Sequence, residues 1–251
     1  MKTLLIGILI VSIMGNFIGA YFVYKAFRLR GEVKALHRYL DDAISRNKAL
    51  KDDYPGLSVF ADENQRLLAR MTPEQRKSMT ILYGASITEH WDVDKYFSGM
   101  NVINRGVSAQ SDTQLLTRFS ADVLQLAPGQ VVIKFCSGNF QPGLDIEMMW
   151  DEYEIMTIAA EEHGINPLLA TIIPVVRRAE KYENYNITKQ IKDFNKRIRD
   201  FAVERNFRVV DYFQAMADKE GYLPEDLARD EIHPNEKGYE IMASTLKPFL
   251  N

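Results

Sequence analysis

Thr80-Ile81-Leu82-Tyr83-Gly84-Ala85-Ser86-Ile87-Thr88 is the stretch whose reading decides the fold. A β-type apolar run ends in a Gly-Ala pair, a serine follows at once, and a helix-compatible segment comes next. That is a strand–turn–helix transition carrying a hydroxyl at its tip. A serine so placed sits at the carboxyl end of a sheet, with backbone N–H groups of the following turn aimed at whatever it attacks. It becomes a nucleophile only with a base nearby. The best candidate lies near the other end of the chain, in Asp230-Glu231-Ile232-His233-Pro234-Asn235.

The segments downstream of Ser86 alternate. Met79–Tyr83, Met100–Asn104, Gln130–Phe135, Pro167–Ile173 and Phe207–Tyr212 read as strands. Ser111–Leu126, Asp145–His163, Thr188–Arg205 and Glu236–Phe249 read as helices. Strands separated by helices of that length pair in parallel through right-handed crossovers. Runs such as QVVIKF, apolar on both faces, suit a sheet covered on both sides. The expectation is an α/β fold: a three-layer α/β/α sandwich with about five parallel strands. Sites in such sheets lie beyond the carboxyl ends of the strands.

That rule gathers Ser86, Gly106, Asn139, the Pro174–Arg178 loop, Asp230 and His233 at one rim. The inventory suits acyl transfer. His233 would take the Ser86 hydroxyl proton, and Asp230 would hold the other ring N–H and fix the tautomer. Pro234 restricts His233 to an extended backbone. The N–H groups of Ser86 and Gly106 and the side-chain amide of Asn139 are the candidate oxyanion donors.

These residues resemble the SGNH/GDSL hydrolases, a family of serine esterases and lipases. GASIT stands for the family's GDSxT, NRGVS for its glycine motif, SGN for GxND, and DEIHPN for DxxHP. The resemblance runs from Met79 to the C-terminus and implies a flavodoxin-like sandwich that hydrolyses esters. Ala85 replaces the family's aspartate, Ser137 a glycine and Phe140 an aspartate, which bears on substrate more than on reaction. The α/β-hydrolase alternative fails, because GASIT lacks the second glycine of G-x-S-x-G.

Other candidates are weighed against plain packing or solvation. Trp91 lines a substrate pocket or simply packs. Arg177 or Arg178 contacts an anionic substrate or is solvated. Cys136 is core rather than a rival nucleophile. Glu89, His90, Asp92 and Asp94 lack the spacing of a metal cage, and His37 and His163 are structural. No metal and no organic cofactor is implied.

The 251-residue chain carries a net charge of −3, which gives no hint of nucleic acid. One cysteine excludes an internal disulfide. Thr3–Tyr24 is uncharged and long enough to cross a bilayer core of about 30 Å as a helix. A cleaved signal peptide is the competing reading, but the apolar run continues past the passable site at Ile18-Gly19-Ala20. The expected organisation is a transmembrane anchor over residues 1–30, a helical stalk or linker over 31–75, and a catalytic domain over 76–251. The protein would then be a single-pass membrane protein, with the side of the domain open. Its partners would be the bilayer and an acyl ester: a lipid, an acylated glycan or a small ester. A tethered binding or scaffolding domain without activity is the alternative, and a lysophospholipase or thioesterase the alternative among enzymes.

Overall fold

The computed structural model describes residues 53–250 continuously and, before them, scattered residues between Gly19 and His37 that are helical and exposed. Most of the Thr3–Tyr24 run lies outside the described residues. Among those described, no helix is long and apolar enough to cross a membrane. The chain divides into two compact units, Met1–Tyr54 and Pro55–Asn251.

The second unit holds five strands: β1 (Thr80–Gly84), β2 (Val102–Gly106), β3 (Gln130–Lys134), β4 (Asn166–Ala170) and β5 (Arg208–Val210). All pair in parallel in the order β2-β1-β3-β4-β5. β1 and β3 are buried throughout, as their apolar runs require in a doubly covered sheet. Helices α1 (Ala61–Arg70), α2 (Pro73–Lys77), α3 (Ser86–Glu89), α4 (Val93–Tyr96), α5 (Asp112–Phe119), α6 (Ile146–Glu162), α7 (Ile187–Arg205), α8 (Tyr212–Met216) and α9 (Glu236–Leu246) connect or flank them. α5 runs on as a π-helical turn over Ser120–Leu124.

The strand order sets the functional edge. The chain steps from β1 to one side, then returns past it to β3 on the other. The carboxyl ends of β1 and β3 therefore flank the topological switch point, where a crevice opens.

Several boundaries shift for local reasons. β2 starts two residues later than the apolar pattern suggests, because Met100 closes a turn onto the Phe97 carbonyl. β4 ends at Ala170, because Asn195 of α7 captures both the N–H and the carbonyl of Ile172. β5 ends at Val210, because Asp211 caps α8 by accepting from the Gln214 N–H.

The stalk expected over residues 31–75 needs correction from Pro55 onward, since that part belongs to the sheet-bearing unit. α1 is held by polar groups, not only by its apolar stripe. Asn64 donates to Asp122 Oδ1 at 2.7 Å, and its Oδ1 accepts from Arg105 Nε at 3.1 Å and Nη2 at 2.9 Å. Arg118, fully buried, pairs with Asp122 at 2.7 Å and donates to the Gly84 and Arg105 carbonyls at the tips of β1 and β2. Buried charges persist only when paired and hydrogen-bonded. α1 supplies part of that satisfaction and so becomes part of the domain.

Candidate active site

Ser86 is the first residue of α3, directly after β1. The first N–H groups of a helix have no partner within it, so the Ser86 N–H is free to face the crevice. Two close packings hold this turn. A Cβ at Gly84 would strike the Lys134 carbonyl and the Thr88 side chain, and one at Gly106 would strike the Thr88–Glu89 backbone. Glycine at both positions lets α3 rest directly on the sheet. Asn104 ties the rim further by donating to the Thr88 carbonyl at 2.6 Å.

Ser86 Oγ lies 2.9 Å from His233 Nε2. His233 Nδ1 lies 2.9 and 3.0 Å from the two Asp230 oxygens. The three-residue spacing works because Asp230 also accepts the backbone N–H groups of Ile232 and His233, at 3.0 and 2.9 Å. One carboxylate thus folds the turn and orients the ring. Burial would raise the Asp230 carboxyl, but those N–H bonds and the His233 ring outweigh it and hold it at about 2. Burial lowers the His233 imidazole below its usual value, with Arg229 and His90 acting in the same direction, against the opposing pull of Asp230. The ring is therefore neutral at pH 7, as a proton acceptor must be.

A cleft of about 360 Å³ opens over Ser86 and His233. Asn139, Cys136, Ala109 and Ile232 contribute to its walls. Cys136 Sγ sits 3.9 Å from Ser86 Oγ and is nearly buried, a packing position. Asn139 forms the end of a one-turn 3-10 segment, Ser137–Asn139, and lines the cleft, with its amide nitrogen on Asp112 and, at 3.5 Å, on the Gln110 carbonyl.

Gly106 is not placed as a donor. It does not line the cleft, and its N–H is already donated to Asn104 Oδ1 at 2.8 Å. Its smallness serves the contact with α3. In the loop that follows, Ala109 does line the cleft, at φ 60°, with no hydrogen-bond partner for its N–H among the described residues. A left-handed alanine is uncommon and marks an imposed turn. The sequence signal was present in the NRGVS-Ala-Gln run, but nothing local shows which backbone N–H turns inward.

Trp91 is placed in the core rather than the cleft. It is 3% exposed and packs on Phe97, Tyr212 and Tyr239 at centroid separations of 5.2, 6.1 and 5.9 Å. Arg177 also stands away from the cleft. It pairs with Glu220 and stacks on Tyr222 at 4.4 Å. Phe140, where the family motif has an aspartate, is fully buried against Phe194. Sequence reasoning weighed His90 only as a metal ligand and missed its place at the cleft, which it walls with its ring centroid 5.7 Å from that of His233.

A parallel sandwich with this crevice at its switch point defines the molecule as an α/β/α protein whose site lies beyond the carboxyl ends of its strands. The chain belongs to the GDSL-like lipase/acylhydrolase family, whose model matches residues 82–241. It is an ester hydrolase.

Among solved structures, it is similar to a GDSL-like lipase from Bacteroides thetaiotaomicron VPI-5482, with 25% identity and a TM-score of 0.70 over 79% of this chain and 98% of that one. A candidate acylhydrolase from Bacteroides fragilis NCTC 9343 gives 24% identity and 0.71 over 79% and 97%. An acetylxylan esterase from Geobacillus stearothermophilus, at 16% identity and 0.56 over 69% and 94%, shares the fold. No curated protein matches the chain.

Proposed function

We propose that the protein hydrolyses carboxylic esters of short acyl groups through Ser86, His233 and Asp230, by way of an acyl-enzyme. The observation that carries this reading is the continuous hydrogen-bonded chain from Ser86 Oγ to Asp230, opening on the cleft. Ser86 Oγ attacks the ester carbonyl and its proton passes to His233 Nε2. The tetrahedral oxyanion is met by the N–H groups of Ser86 and Ala109 and by the Asn139 amide. Collapse expels the alcohol, which takes the proton from His233. Water, deprotonated by the same nitrogen, then attacks the acyl carbonyl and releases the acid and Ser86. Asp230 keeps the imidazolium paired throughout.

The short-acyl preference rests on cleft size and on Ile232, whose Cδ1 would lie 2.9 Å from a Cβ at Gly138. Ile232 and Gly138 thus pack closely in the wall of the cleft. The same chain of groups favours catalysis over a purely tethering role.

The test is hydrolysis of p-nitrophenyl esters from acetate to octanoate, alongside a fluorophosphonate probe. Acetate or butyrate should give the highest kcat/KM, and the probe should label Ser86. Silence on every ester together with no labelling would sink the reading. Membrane attachment through the uncharged Thr3–Tyr24 run is a second part of the proposal. It predicts that the full chain stays with membranes in alkaline carbonate; release into the soluble fraction would refute it.

A further inference from the structure

We infer that Asp112 is a positioning residue for the oxyanion hole: its carboxylate sets which end of the Asn139 amide serves the cleft. The inference rests on the proposed role of Asn139 as an oxyanion donor. Asn139 Nδ2 lies 3.1 Å from both Asp112 Oδ1 and Oδ2, and 3.5 Å from the Gln110 carbonyl. An ionised carboxylate is acceptor-only, whereas an amide offers donors at one end and acceptors at the other. Asp112 therefore accepts only the nitrogen end. One amide N–H is committed to Asp112, and the other meets the Gln110 carbonyl only at 3.5 Å, a weak bond that an oxyanion would replace. The reversed amide would turn Oδ1 lone pairs toward the developing negative charge.

Asp112 is itself built in. It is the first residue of α5, behind the Ser111 N-cap, and is 4% exposed. A helix N-terminus favours a carboxylate. The other charge that bears on it is Glu152, also buried, from the facing α6. Glu152 Oε1 accepts from Thr113 at 2.6 Å, while its Oε2 has no partner among the described residues. Burial, with Glu152 adding to it and the Asn139 bond opposing it, brings the Asp112 carboxyl to about 7. Protonated Asp112 presents an O–H, which attracts Oδ1 of Asn139 and turns the amide around. Activity should then fall on acidification at the Asp112 transition, above the one that belongs to His233.

The experiment compares Asp112→Asn, Asp112→Ala, Asn139→Ala and the double Asp112→Ala/Asn139→Ala in the full chain. The readouts are kcat, KM, the pH profile of kcat/KM and melting temperature. Asn139→Ala should lower kcat by about 10²-fold or more. Asp112→Ala should lower kcat by about 10-fold to 10²-fold with KM little changed, and the double variant should be no worse than Asn139→Ala, because Asp112 acts through that amide. The wild-type acid limb should inflect near 7, and in Asp112→Asn, which cannot titrate, it should move below 6.5. Asp112→Asn has nearly the same shape, so it keeps the test alive if the alanine variant does not fold.

If both Asp112 variants keep the wild-type kcat and acid limb while Asn139→Ala is impaired, the positioning role is wrong and the oxyanion reading stands. Independent, multiplicative losses in the double variant would also overturn it. If Asn139→Ala is as fast as wild type, the oxyanion reading falls first and takes this inference with it.

Discussion

At the residue scale, the proposed chemistry and the folding share the same atoms. Asp230 Oδ1 receives two backbone N–H groups and one ring nitrogen. Replacing it should damage both the turn and the proposed base. Ser86→Ala and His233→Ala should each lower kcat by on the order of 10⁴–10⁶, and the double variant by no more, because the residues act as a unit. Single-turnover and steady-state assays on p-nitrophenyl acetate check this. Losses that multiply would contradict a shared mechanism. The lowered His233 pKa has a stability sign of its own. Its folded-state value lies below the unfolded one, so its contribution is present above the unfolded value near 6.5 and is lost as pH falls through the folded value. His233→Ala should therefore weaken the acid dependence of melting below pH 6.5, which a pH series of thermal melts would show.

At the element scale, the rim is set by how strands end. β3 carries Lys134 into the core, 3% exposed, with the Phe135 carbonyl as its hydrogen-bond acceptor at 3.2 Å. Burial pulls its ammonium down to about 8. The folded value lies below the unfolded one, so the chain is penalised for the charge below about 8, and relief comes as pH rises toward the unfolded value. Lys134→Met should stabilise the protein at pH 7 by an amount on the order of 1–3 kcal/mol, with the gain shrinking between pH 8 and 10.5. Equal gains at pH 7 and pH 10 in denaturant titrations would rule the argument out. The β1–α3 turn makes the opposite demand. Gly106→Ala forces a methyl into the Thr88–Glu89 backbone. It should cost about 1–3 kcal/mol or more of stability, and it should lower kcat by displacing Ser86. A variant with full activity and an unchanged melting temperature would show that α3 yields freely.

At the scale of the whole molecule, the unit from Pro55 onward contains every residue of the cleft. Removal of residues 1–54 should leave kcat/KM on a soluble ester within about twofold of the full chain. Removal through Met71 should not. It takes away Glu63 and Asn64, which satisfy Arg105, and strips Asp122 of a 2.7 Å bond. Leaving buried charges short of partners costs about 3–5 kcal/mol, so that fragment should melt far lower or fail to fold. Melting curves of the two fragments decide the point, and equal stability would show α1 to be a mere attachment.

The sequence by itself determined the alternation of strands and helices, the parallel sheet, and Ser86, Asp230 and His233 as one constellation. Those features rest on short-range physics: apolar runs, turn residues, and a three-residue spacing that a single turn can close. The tertiary structure decided what depends on which group faces which. It turned Ala109 rather than Gly106 into the cleft, because Asn104 consumes the Gly106 N–H. It sank Trp91 among aromatics that lie far apart in the chain, and it drew Arg177 aside to Glu220. It also made α1 part of the domain and set Asp112 against Asn139, contacts that bridge long stretches of chain. No pattern read along the chain reports such contacts, since direction and burial arise only once distant segments pack.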